Sequence, residues 1–384
     1  MASLLVAALA SHATLPSGGT ELRPGVTSYL GIPYAEPPVG SLRFRAAKPR
    51  NYSPGTYSKH GDICPQPLSN VMPKYMNISM SEDCLSLQVH APSTPSSTPR
   101  PVMLFIHGGS FLFGFGWAAP GENLAAEGDV VVVTINYRLG ALGWYASDEL
   151  RHEDPDHASG ALNGMRDQRV AMQWVRDNIN LFGGDAANVT IFGESAGALS
   201  VCSHSVSPAS KGLFRRAIVE SGPCIGPWGP IFASDAACTF QYSQALERAV
   251  NASTLPELRA LPASALTCTE SESGRGPACL HPMCADGFLF KDELPPSLYQ
   301  KGAAAINPEQ IVFGANSLDT LLAPPWGVES LPSTAAEFAA RISATGVDAK
   351  AAAAIEAQYD APSKYGGNYS LACATARLAP PQPA

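Results

Sequence analysis

The sequence predicts an α/β fold, a mostly parallel central sheet with helices on both faces. Three observations carry that prediction. Short runs of β-branched and aromatic residues alternate with helical patterns, as expected of strand–helix–strand units. The runs are continuously apolar rather than alternating, which suits strands buried on both faces. A Gly-x-Ser-x-Gly string stands at one strand-to-helix junction, where a sharp turn needs small residues on either side of its tip.

The chain begins MASLLVAALASHA, and its apolar run Leu4–Ala10 ends in Ala-Leu-Ala, a triplet suited to signal peptidase. No Lys or Arg precedes that run, so a frayed alanine-rich terminus is the competing reading. Residues 1–15 are read as a leader and 16–384 as one domain with long insertions, because no polar linker divides them. A secreted, extracellular location follows from the leader. Sequons at Asn77, Asn251 and Asn368 fit it, whereas the one at Asn188 leads into an expected strand and is set aside.

A Pro- and Ser-rich connection at 93–101 precedes the first core strand, PVMLFIH (101–107). VVVVTI (130–135), NVTIF (188–192), RRAIVES (215–221) and EQIVFGA (309–315) follow as further core strands. Between the second and third, Met165, Met172, Val175, Ile179 and Phe182 return at helical spacing, so a helix is expected within 161–182. Gly183 and Gly184 end it. Residues 223–300, rich in Pro, Ala and Ser, read as an excursion above the sheet.

At 384 residues and 45% hydrophobic the chain can bury a large core. A net charge of −8 without long runs of one sign argues against nucleic acid or an anionic membrane as partner. No apolar stretch approaches the roughly 20 residues of a transmembrane helix. Nine cysteines leave at least one unpaired within a single chain. Cys268, Cys279 and Cys284, with His281 among them, match no zinc ligand spacing, so neither a metal nor a cofactor is expected.

Serine is a poor nucleophile at neutral pH and must be exposed, oriented and deprotonated as it attacks. The turn Gly193-Glu194-Ser195-Ala196-Gly197 supplies exposure and orientation, and the helix after it aims N-terminal amides at the same point. A second motif, FIHGGSF (105–111), follows another core strand. The N–H groups of Gly109 and Ser110, with that of Ala196, are the expected donors to a tetrahedral oxyanion.

Several strings carry a family resemblance: YLGIPYAEPPVGSLRF (29–44), SEDCLSLQVHAP (81–92), INYRLGALGW (135–144), NGMRDQRVAMQWVRDNINLFGGD (163–185) and VTIFGESAGALS (189–200). Together they resemble the type-B carboxylesterases, the serine esterases that include the cholinesterases, on the α/β-hydrolase fold. The resemblance runs from about Tyr29 to Ala374. It implies that Ser195 is a nucleophile acting on a small-molecule carboxylic ester. It also implies a Cys64–Cys84 disulfide and a structural ion pair between Arg43 and Glu82.

Such a serine needs a histidine base, held in its turn by a carboxylate, and in this fold the chain order is Ser, acid, His. FGANSLDTLL (313–322) lies where the family carries its acid, and Asp319 aligns with it as the triad acid, with Glu329 a distant second. No histidine follows Thr320. Of the eight present, His204 sits nine positions along the nucleophile's own helix, about 13 Å at 1.5 Å per residue and out of reach. His107 belongs to the oxyanion motif and is expected to pack or hydrogen-bond locally. His281, in the excursion, is the least implausible substitute. YGGNYSLACATARLAPPQPA resembles the family's segment before its late strands, and the expectation is a C-terminally truncated esterase whose triad histidine is absent.

The loop between Cys64 and Cys84 offers Tyr75 and no tryptophan, which argues against a choline ester held by a cation–π contact. Trp117, Trp228 and Trp326 could line a pocket or pack in the core. The rival function is a non-catalytic adhesion or ligand-binding module on the same fold. No motif sets an oligomeric state.

Overall fold

The computed structural model describes residues 15–67, 78–222, 224, 232–233, 238–267, 283–291, 293–315, 334–344, 349–350, 353 and 357. Eight strands form one sheet: β1 (Thr20–Arg23), β2 (Val26–Pro33), β3 (Ser86–Pro92), β4 (Arg100–Ile106), β5 (Val131–Ile135), β6 (Gly184–Glu194), β7 (Arg216–Glu220) and β10 (Gln310–Gly314). Their order is β1-β2-β3-β5-β4-β6-β7-β10. The two-residue strands β8 (Phe232–Ala233) and β9 (Met283–Cys284) pair separately.

From β5 through β10 every neighbouring pair is parallel, and the first three strands are antiparallel additions at one edge. Each expected core strand is present. Only β5 is buried at every residue among the five, however. β10 corrects the expectation most: Val312 is 58% and Phe313 59% exposed, because β10 ends the described strand order with a neighbour on one side alone. Side-chain pairs Arg215–Glu309 and Arg216–Gln310 pin it to β7.

The helix expected within 161–182 spans Asn163–Asn178 and tightens into a 3-10 turn over Ile179–Phe182. Met165, Met172, Val175, Ile179 and Phe182 are all fully buried on its sheet-facing stripe. Gly183 ends it at φ 76°, a left-handed conformation that costs glycine nothing. Asn188, in β6, is half-buried and its side-chain oxygen accepts a hydrogen bond from Arg216.

Two buried ion pairs lock the loops under the sheet's carboxyl edge. Arg138, just past β5, donates Nε and Nη2 to the two oxygens of Asp167 at 2.8 and 2.6 Å. The Arg138 backbone N–H adds a third bond, and Nη1 reaches the carbonyl of Arg45. Arg43 grips Glu82 through Nε and Nη2, while its Nη1 donates to the carbonyls of Leu258, Arg259 and Leu261 at the end of the helix Leu255–Ala260. The guanidinium thereby caps the helix terminus, where the Leu258 carbonyl also accepts from the Leu261 N–H.

Removing one partner of a buried pair strands the other's charge. Asp167→Ala is therefore expected to lower unfolding free energy by about 3–5 kcal/mol. Urea denaturation of variant and parent checks this, and an unchanged midpoint would contradict it.

Candidate active site

The parallel register decides what comes together. Gly193 of β6 pairs with Ile106 of β4, Glu194 with Glu220 of β7, and Gly314 of β10 with Glu220. The segments leaving β4, β6, β7 and β10 therefore start side by side at one edge. Backbone bonds tie them: Ser195 N–H donates to Glu220 O at 3.0 Å, and Ser221 N–H to Gly314 O at 2.8 Å.

Ser195 is the residue between β6 and the helix Ala196–Val206, with φ 54° and ψ −118°. It is partly exposed. A β-carbon at Gly193 or Gly197 would lie 2.6 or 2.0 Å from the carbonyl oxygen of Ile106. The flanking glycines thus let the turn press directly against β4, which holds Ser195 in a conformation that L residues avoid.

The glycine loop meets that turn. A β-carbon on Gly108 would stand 2.7 Å from Glu194 O and 3.2 Å from Ser195 Cβ. Gly109, Ser110 and Phe111 follow at φ 99°, 57° and 60°. The Gly109 carbonyl accepts from Leu112 and Phe113 within the loop. Among the described residues, none of the hydrogen bonds uses the N–H of Gly109, Ser110 or Ala196; Ala196 opens its helix, where such an orphan donor is expected.

The loop is braced from several directions. Gln66 exchanges two hydrogen bonds with the backbone of Gly114, at 2.7 and 2.9 Å. Two residues before it, Cys64 is joined to Cys84 by a disulfide. The Asn136 side chain accepts from Gly116 N–H and donates to the carbonyls of Asp62 and Cys84. Tyr137 donates to the His107 carbonyl, and its ring stacks on the imidazole at 4.2 Å.

Burial raises the carboxyl pKa of Glu194 and of Glu220, and for Glu194 the charge of Glu220 adds to it. The described histidines are engaged elsewhere. His204 is fully buried, with Nδ1 against Ser210 Oγ and Nε2 against Gln168 Oε1. His107 Nδ1 faces Gly108 O, and His90 Nδ1 faces Ser28 Oγ. His60 stacks on Trp117, which also packs on Phe115. His152 and His157 are exposed. Asp319, Glu329, His281, Tyr75, Trp228 and Trp326 lie outside the described residues, although β10, which leads toward Asp319, ends at the same edge as Ser195.

Sequence reasoning missed three supports. Gln66 and Asn136 bind backbone across 48 and 20 positions, and no local pattern announces such bonds. The Cys202–Cys224 disulfide joins the helix after Ser195 to the segment after β7. Gly222 marks the same contact, since a β-carbon there would meet Ala198 Cβ at 2.4 Å and Ser195 O at 3.2 Å. Cys284 is disulfide-bonded as well.

A parallel sheet carrying a Gly-x-Ser-x-Gly turn at a strand's carboxyl end, its serine in left-handed backbone, places the protein in the α/β-hydrolase class. More narrowly, the chain belongs to the carboxylesterase family, whose profile matches residues 15–359. It is 46% identical over 204 residues to para-nitrobenzyl esterase of Bacillus subtilis (strain 168), covering 52% of this chain and 40% of that protein. With pyrethroid hydrolase Ces2e of Rattus norvegicus it shares 43% identity over 217 residues, 54% of this chain and 37% of the other. Acetylcholinesterase of Gallus gallus is 43% identical over 233 residues, 57% of this chain and 29% of its own length. The matched part thus spans well under half the length of each relative.

Two outcomes follow. Ser110 occupies a left-handed position at φ 57°, so Ser110→Gly is expected to raise stability by about 0.5–1 kcal/mol, measured by denaturant midpoint. Burial holds the folded-state pKa of His204 near about 3 and those of His90 and His107 near about 4, below the ordinary 6.5. Their contribution is complete above pH 6.5 and is lost as pH falls toward 3, because the unfolded chain takes up protons that the folded chain refuses. His204→Gln should flatten the acid limb of a stability–pH curve, and an unaltered limb would refute the assignment.

Proposed function

We propose that the protein is a serine hydrolase of small-molecule carboxylic esters, with Ser195 as nucleophile. The observation carrying this reading is the juxtaposition at the sheet edge: Ser195 in left-handed backbone, with Gly108 of the glycine loop packed against it. Ser195 Oγ attacks the ester carbonyl carbon, the carbonyl electrons move to oxygen, and the N–H groups of Gly109, Ser110 and Ala196 receive the oxyanion. Collapse of the tetrahedral species expels the alcohol, which takes the serine proton, and leaves an acyl-enzyme that water hydrolyses. Asp319 is assigned as the acid that orients the general base; the Ser195 hydroxyl has no hydrogen-bond partner among the described residues.

The names of the relatives, para-nitrobenzyl esterase, pyrethroid hydrolase and acetylcholinesterase, support an ester substrate. We assign an uncharged carboxylic ester rather than a choline ester, on the missing tryptophan of the 64–84 loop. Among the described residues no helix is long and apolar enough to cross a membrane. The Cys64–Cys84 and Cys202–Cys224 disulfides, with the bonded Cys284, suit an oxidising compartment, and secretion is the location we infer.

The rival is a binding module on the same fold, since a fold by itself does not fix chemistry. A fluorophosphonate probe decides between them. We expect covalent labelling of the full-length protein that Ser195→Ala abolishes, together with serine-dependent turnover of p-nitrophenyl esters. Folded protein with neither response would end the hydrolase reading in favour of the rival.

A further inference from the structure

A cavity of about 360 Å³ opens between the segment Phe44–Pro49, the residues Leu150–Gly160, one face of the helix Asn163–Asn178, and Phe288. Its volume falls within the roughly 300–1,000 Å³ of small-molecule sites. None of its lining residues belongs to the glycine loop or to the Ser195 turn. Phe44, Ala47, Leu150, Ala158 and Val170 give it apolar walls.

The charges lining it do not cancel. Glu153 is held by Arg45 and Arg259, at 2.9 and 2.6 Å. Arg166 is held by Asp154 and Asp156, at 2.8 and 3.0 Å, and lies over the Phe288 ring at 4.4 Å. Arg169, three residues further along the helix, also lies over that ring, at 5.2 Å. Its Nε donates to the Ala209 carbonyl at 2.6 Å, yet among the described residues no carboxylate pairs with it and no acceptor meets Nη1 or Nη2. Burial first and then the charge of Arg166 disfavour its protonated form, Asp156 opposes them, and Arg176 adds a smaller effect. Lys48 at the rim also lacks an ion pair among the described residues.

Beside the cavity one buried polar atom lacks a partner. Asn163, 2% exposed, donates Nδ2 to Phe44 O, while its Oδ1 is buried without a partner. A buried acceptor of this kind costs free energy unless something donates to it.

We propose that this cavity is a binding site for a small aromatic or branched monocarboxylic acid, its carboxylate on the open fork of Arg169 and its apolar body against Phe288 and Val170. The two guanidinium nitrogens present parallel donors that match a carboxylate's two oxygens. Asp154 and Asp156 at the same cavity select against a doubly charged anion.

Benzoate, benzamide and benzylamine are the probes, titrated calorimetrically into the full chain carrying Ser195→Ala, so that the result is independent of turnover. Benzoate is expected to bind at one site with a Kd tighter than about 10 mM, and the neutral and cationic analogues at least about tenfold more weakly. Arg169→Gln should cost benzoate at least about tenfold, and Arg169→Lys should recover only part of it. Protection of Arg169 from phenylglyoxal by benzoate, read by peptide mass, gives the same answer without a variant. No benzoate binding, equal binding of benzamide, or unprotected Arg169 under saturating benzoate would each overturn the proposal.

Discussion

The structure depends on one constraint at the carboxyl edge of the parallel sheet: β4, β6 and the helix after Ser195 approach more closely than side chains permit. Ile106 O would sit 2.6 Å from a β-carbon at position 193 and 2.0 Å from one at 197. Glycine at both places is the condition for the turn. Once the backbones are that close, Ser195 has no ordinary route from strand to helix and crosses at φ 54°. The serine stands out from the sheet because the chain on either side of it is packed in.

Keeping the glycine loop against that turn requires supports that are themselves anchored. The reciprocal bonds between Gln66 and Gly114 matter because Gln66 follows Cys64, whose disulfide to Cys84 fixes one end of the loop that carries it. Asn136 ties Gly116 to the same disulfide through the Cys84 carbonyl. Arg138 and Asp167 then fasten the end of β5 to the long helix under the sheet. These are bonds to backbone and bidentate ion pairs, so each fixes direction as well as distance. Neutral, apolar contacts alone would hold the elements together with less control of where the loop's amides point.

Much of this was legible in the sequence, and what was legible is local. Continuous apolar runs mark β4, β5, β6, β7 and β10, and the stripe from Met165 to Phe182 marks the long helix. The Gly-x-Ser-x-Gly turn and the HGGS string are local too, since backbone freedom is set by the residues that need it. β1, β2 and β3 were missed because their mixed sequences lack the continuous apolar runs of the other strands, and pairing with one another and with β5 decides their state. The buried ion pair Arg138–Asp167 joins positions 29 apart, and the Cys202–Cys224 bridge was one pairing among many for nine cysteines. Burial on both faces was over-read for β10, because an apolar run records the preference of a strand and not the presence of a neighbour.

Strain gives a further argument that the edge is organised for more than packing. Among the described residues eight non-glycine positions have positive φ, and four of them, Ser110, Phe111, Ser195 and Ser221, lie where β4, β6 and β7 hand over to their loops. Each costs on the order of 1 kcal/mol or more and persists only where its surroundings over-determine it. Ser195 is over-determined by β4 and by Glu220 O, Ser221 by Gly314 O, and Phe111 by Gly140 N–H on its carbonyl. Glycine at these positions would relieve the strain, as Gly109 does at φ 99° next door. At position 195 it would also delete the one hydroxyl that the turn lifts clear of the sheet. Fold stability alone therefore gives no reason for a serine at that position, whereas the proposed attack on an ester carbonyl does.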